Sequence, residues 1–322
     1  MMRSSGRVSF YDLSPPPQSM LDEVWAGLRK PQKEISPKFF YDARGCGLFD
    51  EICRLAEYYP TRAELALMRR HAPAMAGVLG SDCALIEIGC GNGEKTRALL
   101  DELRPPVFAA VDIAPEQLAA SCNALAQLFP RMRIVALRAD FARDIELPAA
   151  ALGAGRRVLY FPGSTIGNFT PDEARAFLAR WAPLLGAGGG ALIGVDLKKD
   201  HAVLDAAYND KQGVTAEFNL NVLRHINREL GADFDLAAYR HRARYVAEHG
   251  RIEMHLQSLK VQRVTMAGRF LDIRDGETIH TENSYKYGVA EFHDLARDAG
   301  FRAQECWTDD ENLFAVHFLD LP

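Results

Sequence analysis

Much of what would mark this 322-residue chain as a metal, membrane or nucleic-acid protein is missing. Its six cysteines, Cys46, Cys53, Cys83, Cys90, Cys122 and Cys306, include no C-x-x-C pair. That spacing lacks the usual zinc and dithiol motifs, and reduced thiols in a cytoplasmic protein without a metal are the expectation, with zinc the alternative. No uninterrupted apolar run is long enough to cross a bilayer, and MMRSSGRVSFYD lacks the apolar core of a signal peptide, so no membrane partner is expected. A net charge of −5 leaves no concentrated basic surface for phosphates, which argues against a nucleic-acid partner. The length suffices for one large domain or two, with a sizeable core.

What is present centres on ALIEIGCGNGEKTR, Ala84 to Arg97. Leu85, Ile86 and Ile88 predict a central parallel strand covered on both faces, and Gly89, Gly91 and Gly93 predict a tight turn that a ligand can approach closely. Two phosphate-binding fingerprints are each one glycine short here. Counted from Gly89, the last glycine of Gly-x-Gly-x-x-Gly falls on Glu94, and so does the second glycine of the P-loop that Lys95 and Thr96 otherwise complete. A carboxylate there would face phosphates of its own sign. S-adenosylmethionine carries a sulfonium and no phosphate, so an acidic turn suits it, with Glu87 near the strand's end. A glycine-rich turn without any ligand is the plain alternative.

The pattern then repeats as βα units. Met20, Leu21, Val24 and Leu28 predict a first amphipathic helix, and Thr61 with Glu64 predicts a capping box opening a helix through His71. Strand Val107–Val111 ends on Asp112, where an open α/β sheet meets a ribose; the same residue also reads as a cap before Pro115. Asp140 and Phe141 follow the third strand, and the loop PGSTIGNF, with Gly163, Ser164, Gly167 and Asn168, follows the fourth. Val195-Asp196 resembles the magnesium strand of nucleoside triphosphatases, the alternative from another class; Glu94, Asp112 and Asp140 argue against a polyanion. After Lys198 come the Asn-rich helix Phe218–Leu230 and alternating strands, with hairpin signals at Gly250 and Asp275-Gly276. This region reads as an insertion between the fifth and sixth strands.

FYDARGCGLFDEICRLAEYYPTRAE, EIGCGNGEKTR, PGSTIGNF and IHTENSYKY together resemble the histidine Nα-methyltransferases of ergothioneine biosynthesis, over nearly all the chain from Ser36. The resemblance implies an α/β fold: a class I, Rossmann-like seven-stranded methyltransferase core (61–197 and 286–322) with an inserted α+β substrate-binding domain (1–60 and 198–285). It assigns Tyr41, Gly89, Lys95, Asp112, Asp140 and Phe141 to S-adenosylmethionine. Tyr58, Asn168 and Tyr208 would hold the α-carboxylate and amine of L-histidine, and Met254, Glu282 and Ser284 would line the imidazole site. Tyr41 and Asn168 are the catalytic candidates, orienting the amine for successive methylations to hercynine by a monomer. Another amino acid or small amine is the alternative substrate. Taken alone, Glu282 would read as a solvent-facing strand residue or a partner of Lys286.

Overall fold

The computed structural model describes residues 2–5, 8–14, 18–91, 93–148 and 152–322. Asn92 of the glycine turn and Pro15–Pro17 of the proline-marked N-terminal stretch lie outside the described residues. The chain divides into two compact units: Met1–Ser14, Pro60–Lys198 and Tyr285–Pro322 in one, Pro15–Tyr59 and Lys199–Ser284 in the other.

The first unit is built on a nine-stranded sheet. Its strands run in the spatial order Met2–Ser5, Val8–Asp12, Arg133–Arg138, Val107–Asp112, Ala84–Ile88, Arg157–Phe161, Gly190–Asp196, Phe314–Asp320, Arg302–Thr308. Ala84–Ile88 pairs in parallel with Val107–Asp112 on one side and Arg157–Phe161 on the other. The chain therefore reverses its winding direction beside this strand, the switch point where open α/β sheets bind ligands. Both faces of the sheet are covered, because successive side chains of each strand point to opposite sides. Ile86 and Ile88 pack with Phe177, Trp181 and Tyr287, whereas Leu85 and Phe108 pack with Met68, Met75 and Leu100. The last two strands form the antiparallel pair that closes the sheet.

Three sequence expectations change here. Residues 2–5 and 8–12, assigned on sequence to the substrate domain, instead extend the sheet from seven strands to nine. Val8–Asp12 pairs in parallel with Arg133–Arg138, and Met2–Ser5 pairs antiparallel with it, which covers an otherwise open edge. The helix expected to be capped by Thr61 starts earlier and runs Tyr59–Leu79, which turns Glu64 inward to full burial. Asp275-Gly276 is not a hairpin between paired strands. Arg269–Ile273 pairs with Gln262–Met266 around Ala267-Gly268, both of which have positive φ.

The second unit carries a four-stranded sheet in the order Lys33–Glu34, Thr278–Tyr285, Arg251–Ser258, Tyr239–Val246. Arg251–Ser258 and Tyr239–Val246 form the antiparallel pair expected around Gly250. Helices His201–Tyr208 and Val214–Leu230 pack on these strands. Helix Ala43–Ile52 packs on Val214–Leu230 in turn. The insertion leaves after Gly190–Asp196 and returns before Val289–Asp298, and its ends are tied where Tyr287 N donates to Asp196 O at 3.1 Å. All six cysteines are free thiols, and among the described residues no helix is long and apolar enough to cross a membrane.

Candidate active site

In the sheet unit the site is made mostly of main chain. Gly89, Gly91 and Gly93 have φ of 72°, 46° and 74°, a region that side-chain-bearing residues rarely adopt, and a Cβ at any of them would meet open space. The turn is held from outside: Gly89 N donates to Val111 O at 2.9 Å, while Ser121 Oγ and Gln117 Nε2 donate to Gly91 O at 2.7 and 3.1 Å. Helix Glu94–Leu103 starts directly behind it.

Beneath the turn, Glu87 is buried and accepts from Thr96 Oγ1 at 2.5 Å. Burial pushes its carboxyl up to about 8, against the pull of Thr96 and Lys95. Glu87 Oε2 and the hydroxyl of Tyr160, its direct neighbour in the parallel register, lack partners among the described residues. Asp112 Oδ1 accepts from Ala114 N at 2.9 Å and Oδ2 faces Cys90 Sγ at 3.7 Å; the cap of helix Pro115–Leu128 is Ala114, with no side-chain cap bond, so Asp112 fixes the turn before the helix and is not its cap. Burial raises the Asp112 carboxyl above its usual range. Asp140 accepts from Ala142 N at 3.1 Å and lies 3.4 Å from Arg143 Nε; Phe141 packs edge-on against Phe161 and Phe169.

Lys95, which a P-loop would aim at phosphate, lies 2.6 Å from the buried Glu64 carboxylate. Both oxygens of Glu64 accept from Gly163 N at 2.9 Å, so Lys95 and Glu64 together hold the start of the PGSTIGNF loop. Gly194 makes this possible, since a Cβ there would collide with Glu64. Ser164, with φ 55°, accepts through Oγ from Asp196 N at 2.9 Å and leads into the short turn Thr165–Asn168. The Asp196 carboxylate lies 2.7 Å from the Lys286 ammonium, both fully buried. An aspartate held by a buried ammonium is spent as a magnesium ligand, which removes the support for a triphosphatase.

In the second unit the site is made of side chains. Tyr41 lies 5.9 Å from Phe49 and 5.8 Å from Phe218, ring centre to ring centre; Tyr58 lies 6.3 Å from Phe49 and 6.1 Å from Tyr208. Tyr208 donates through its hydroxyl to Ser284 Oγ at 2.8 Å. Burial first, then the surrounding Tyr208, Cys53, Glu282 and Tyr41, push the Tyr58 hydroxyl well above the usual range, which puts Glu282 in its electrostatic company. Met254 is buried, with its carbonyl accepting from Thr281 Oγ1 at 3.1 Å. Tyr41, Tyr58, Tyr208, Met254, Glu282 and Ser284 thus fall in one unit, and Gly89, Lys95, Asp112, Asp140, Phe141 and Asn168 in the other.

Sequence reasoning missed the frame behind the tyrosines. Asn219, buried in helix Val214–Leu230, accepts from Thr281 Oγ1 at 2.7 Å and donates to His255 O at 3.1 Å. Its amide also lies 2.9 Å from His241 Nδ1, while His241 Nε2 lies 2.9 Å from Tyr208 O. Because that carbonyl only accepts, His241 is the neutral Nε2–H tautomer, and burial lowers its basicity in accord. Asn221 donates to Asp42 Oδ1 at 2.7 Å, and Asp42 caps the helix that presents Phe49. Burial would raise the Asp42 carboxyl, but donors from Gly45, Arg228 and Asn221 hold it below the usual range. The sequence signal was available: asparagines recurring inside one helix, of which Asn219 and Asn221 are buried on opposite sides of it.

The residues present fit a sulfonium nucleoside better than a nucleotide. Glycine main chain is open to approach, Asp112 and Asp140 stand at strand ends as acceptors, and Lys95 is already ion-paired. The family described as "Histidine-specific methyltransferase, SAM-dependent" matches residues 20–321. Histidine N-alpha-methyltransferase of Mycobacterium tuberculosis is 41% identical over 301 residues, covering 91% of this chain and 92% of its own. The enzyme of that name from Mycolicibacterium smegmatis is 40% identical over 306 residues, covering 93% and 94%. Ergothioneine biosynthesis protein 1 of Neurospora crassa is 33% identical over 89% of this chain, which spans 33% of that protein's length.

Proposed function

The chain belongs to the histidine-specific, S-adenosylmethionine-dependent methyltransferase family, and from that premise we propose that it methylates the α-amine of L-histidine three times, yielding Nα,Nα,Nα-trimethyl-L-histidine (hercynine) for ergothioneine biosynthesis. The likeness to the two mycobacterial enzymes carries this reading.

Bound S-adenosylmethionine supplies an electrophilic methyl, which the amine takes as the carbon–sulfur bond breaks and sulfur keeps the electron pair. The chain's own residues do the rest. The Gly89–Gly93 bend admits the donor to the main chain, Asp112 accepts from ribose hydroxyls, Asp140 accepts from the adenine amine, and Phe141 covers the ring. Lys95 acts through Glu64, fixing Gly163 and the loop that carries Asn168. Tyr58, Tyr208 and Asn168 bind the α-carboxylate and amine, and Tyr41 with Asn168 turns the amine's lone pair toward the methyl. Each product ammonium releases its proton to water before the next transfer. Little acid catalysis is needed in such a displacement, so positioning is the main lever, worth about 7–11 kcal/mol when the reacting atoms are well oriented.

Histidine is selected by its ring. Glu282 accepts one ring N–H, Ser284 partners the other nitrogen, and Met254 gives a polarizable wall. An apolar side chain would leave Glu282 desolvated and unpaired, a penalty that discriminates by up to about four orders of magnitude. The growing ammonium is accommodated by the faces of Tyr41 and Tyr58. The deciding experiment incubates the protein with labelled S-adenosylmethionine and a panel of amino acids, then weighs the product. Histidine should be preferred and gain three methyl groups; preference for another amino acid, or an end product with fewer methyl groups, overturns the corresponding part of the proposal.

A further inference from the structure

The last helix and the closing hairpin bring together three side chains that no part of the methyl-transfer reading uses. His293 comes from helix Val289–Asp298, Cys306 from strand Arg302–Thr308 and His317 from strand Phe314–Asp320. Cys306 and His317 are directly opposed in the antiparallel register, so their side chains leave the sheet on one face. One ligand atom from each of the three lies within 4.8 Å of the other two. We infer that His293, Cys306 and His317 form a binding site for one borderline divalent transition-metal ion, zinc foremost.

His293 Nε2 and His317 Nδ1 are already 3.0 Å apart, sharing a single proton between two rings set nearly perpendicular. Zinc holds imidazole nitrogen at roughly 2.0–2.1 Å and thiolate sulfur at roughly 2.3 Å, so tetrahedral ligand atoms sit about 3.3–3.8 Å from one another. The two nitrogens need to open by only a few tenths of an ångström, and the sulfur needs to close by up to about 1.3 Å. The ion would take the place of the shared proton. His317 is fully buried, and its Nε2 has no hydrogen-bond partner among the described residues. That Nε2 lies across the ring from the nitrogen facing His293, so the case for an ion rests on the converging donors, two imidazole nitrogens and a thiol brought together from three elements. Two imidazoles and a thiolate select zinc, cobalt, nickel or copper over magnesium or calcium. His293 and Cys306 are only partly buried, which leaves a route for the ion and a position for a water as fourth ligand. The ion would clip the last helix to the hairpin that ends the sheet. The cysteine spacing gave no hint of it, because the ligands come from three separate elements.

The test is titration of the chelator-treated, full-length protein with cobalt(II) alone, read by absorption, followed by zinc competition. One equivalent should bind with an intense tetrahedral visible band and a near-ultraviolet thiolate-to-metal band. Cys306→Ser should abolish the thiolate band, and His293→Gln should weaken binding by roughly tenfold or more. Zinc should also slow alkylation of Cys306 in the unmutated protein, an assay that needs no variant to fold. Absence of the thiolate band, equal binding by both variants, or unchanged alkylation with zinc would each overturn the assignment.

Discussion

The two units are made to hold small polar molecules with different materials. In the sheet unit the binding surface is chiefly backbone: three glycines in left-handed conformation, peptide groups at strand ends, and a loop fixed by Glu64. In the inserted unit it is chiefly side chain: a row of aromatic rings and a hydrogen-bond lattice running Thr281, Asn219, His241, Tyr208. A backbone surface is insensitive to most substitutions but intolerant at its glycines and acids. A side-chain surface sets specificity, and any member can change it. The division matches the tasks proposed for them, a donor that is always the same and an acceptor that must be told from its analogues.

The comparison breaks most sharply at Glu282. Glu282→Ala should lower kcat/KM for histidine by about three to four orders of magnitude while leaving S-adenosylhomocysteine affinity unchanged by calorimetry; equal loss of both would make the residue structural. The reciprocal variant, Asp112→Ala, should weaken S-adenosylhomocysteine binding by about 10- to 100-fold, the worth of charged hydrogen bonds, with the tyrosine lattice intact.

A third measurement separates the units by pH. Burial raises the Glu87 carboxyl from 4.5 to about 8, so the folded chain keeps a proton that the unfolded chain gives up. Its contribution is full below pH 4.5 and is lost as pH rises toward 8, roughly a few kcal/mol in all. Denaturation curves across that window should show the decline, and Glu87→Gln should flatten it. Gly45→Ala sharpens the contrast from the other side, because a Cβ there collides with the Phe40 carbonyl. It should destabilise by about 1–3 kcal/mol, with faster hydrogen exchange in helix Ala43–Ile52 and unchanged exchange in the core strands. Smallest is Tyr208→Phe, which deletes the bond to Ser284 and should cost about 1 kcal/mol, roughly fivefold in KM for histidine.

The parallel sheet was legible before any coordinates, because runs such as Leu85–Ile88 and Val107–Val111 carry their burial in their own composition. So was the bend, since only glycine serves at three positive-φ positions so close together. The partners of buried polar groups were not. Glu64 looked like a cap and is the anchor of a loop 99 positions further along the chain; Asp196 looked like a metal ligand and is paired with Lys286. Strand Val8–Asp12 was expected in the N-terminal part of the substrate domain and is a strand of the core sheet.

Sequence alone therefore determined the alternation of strands and helices in the core, the acidic glycine bend and the existence of an inserted region, all set by residues within a few positions of one another. Tertiary structure alone decided which charges meet, which amide frames the tyrosines and which imidazoles face the thiol. Those pairings join residues of separate elements, from about ten to about a hundred positions apart, and a buried polar group is satisfied by whatever the fold brings to it, which no local pattern encodes.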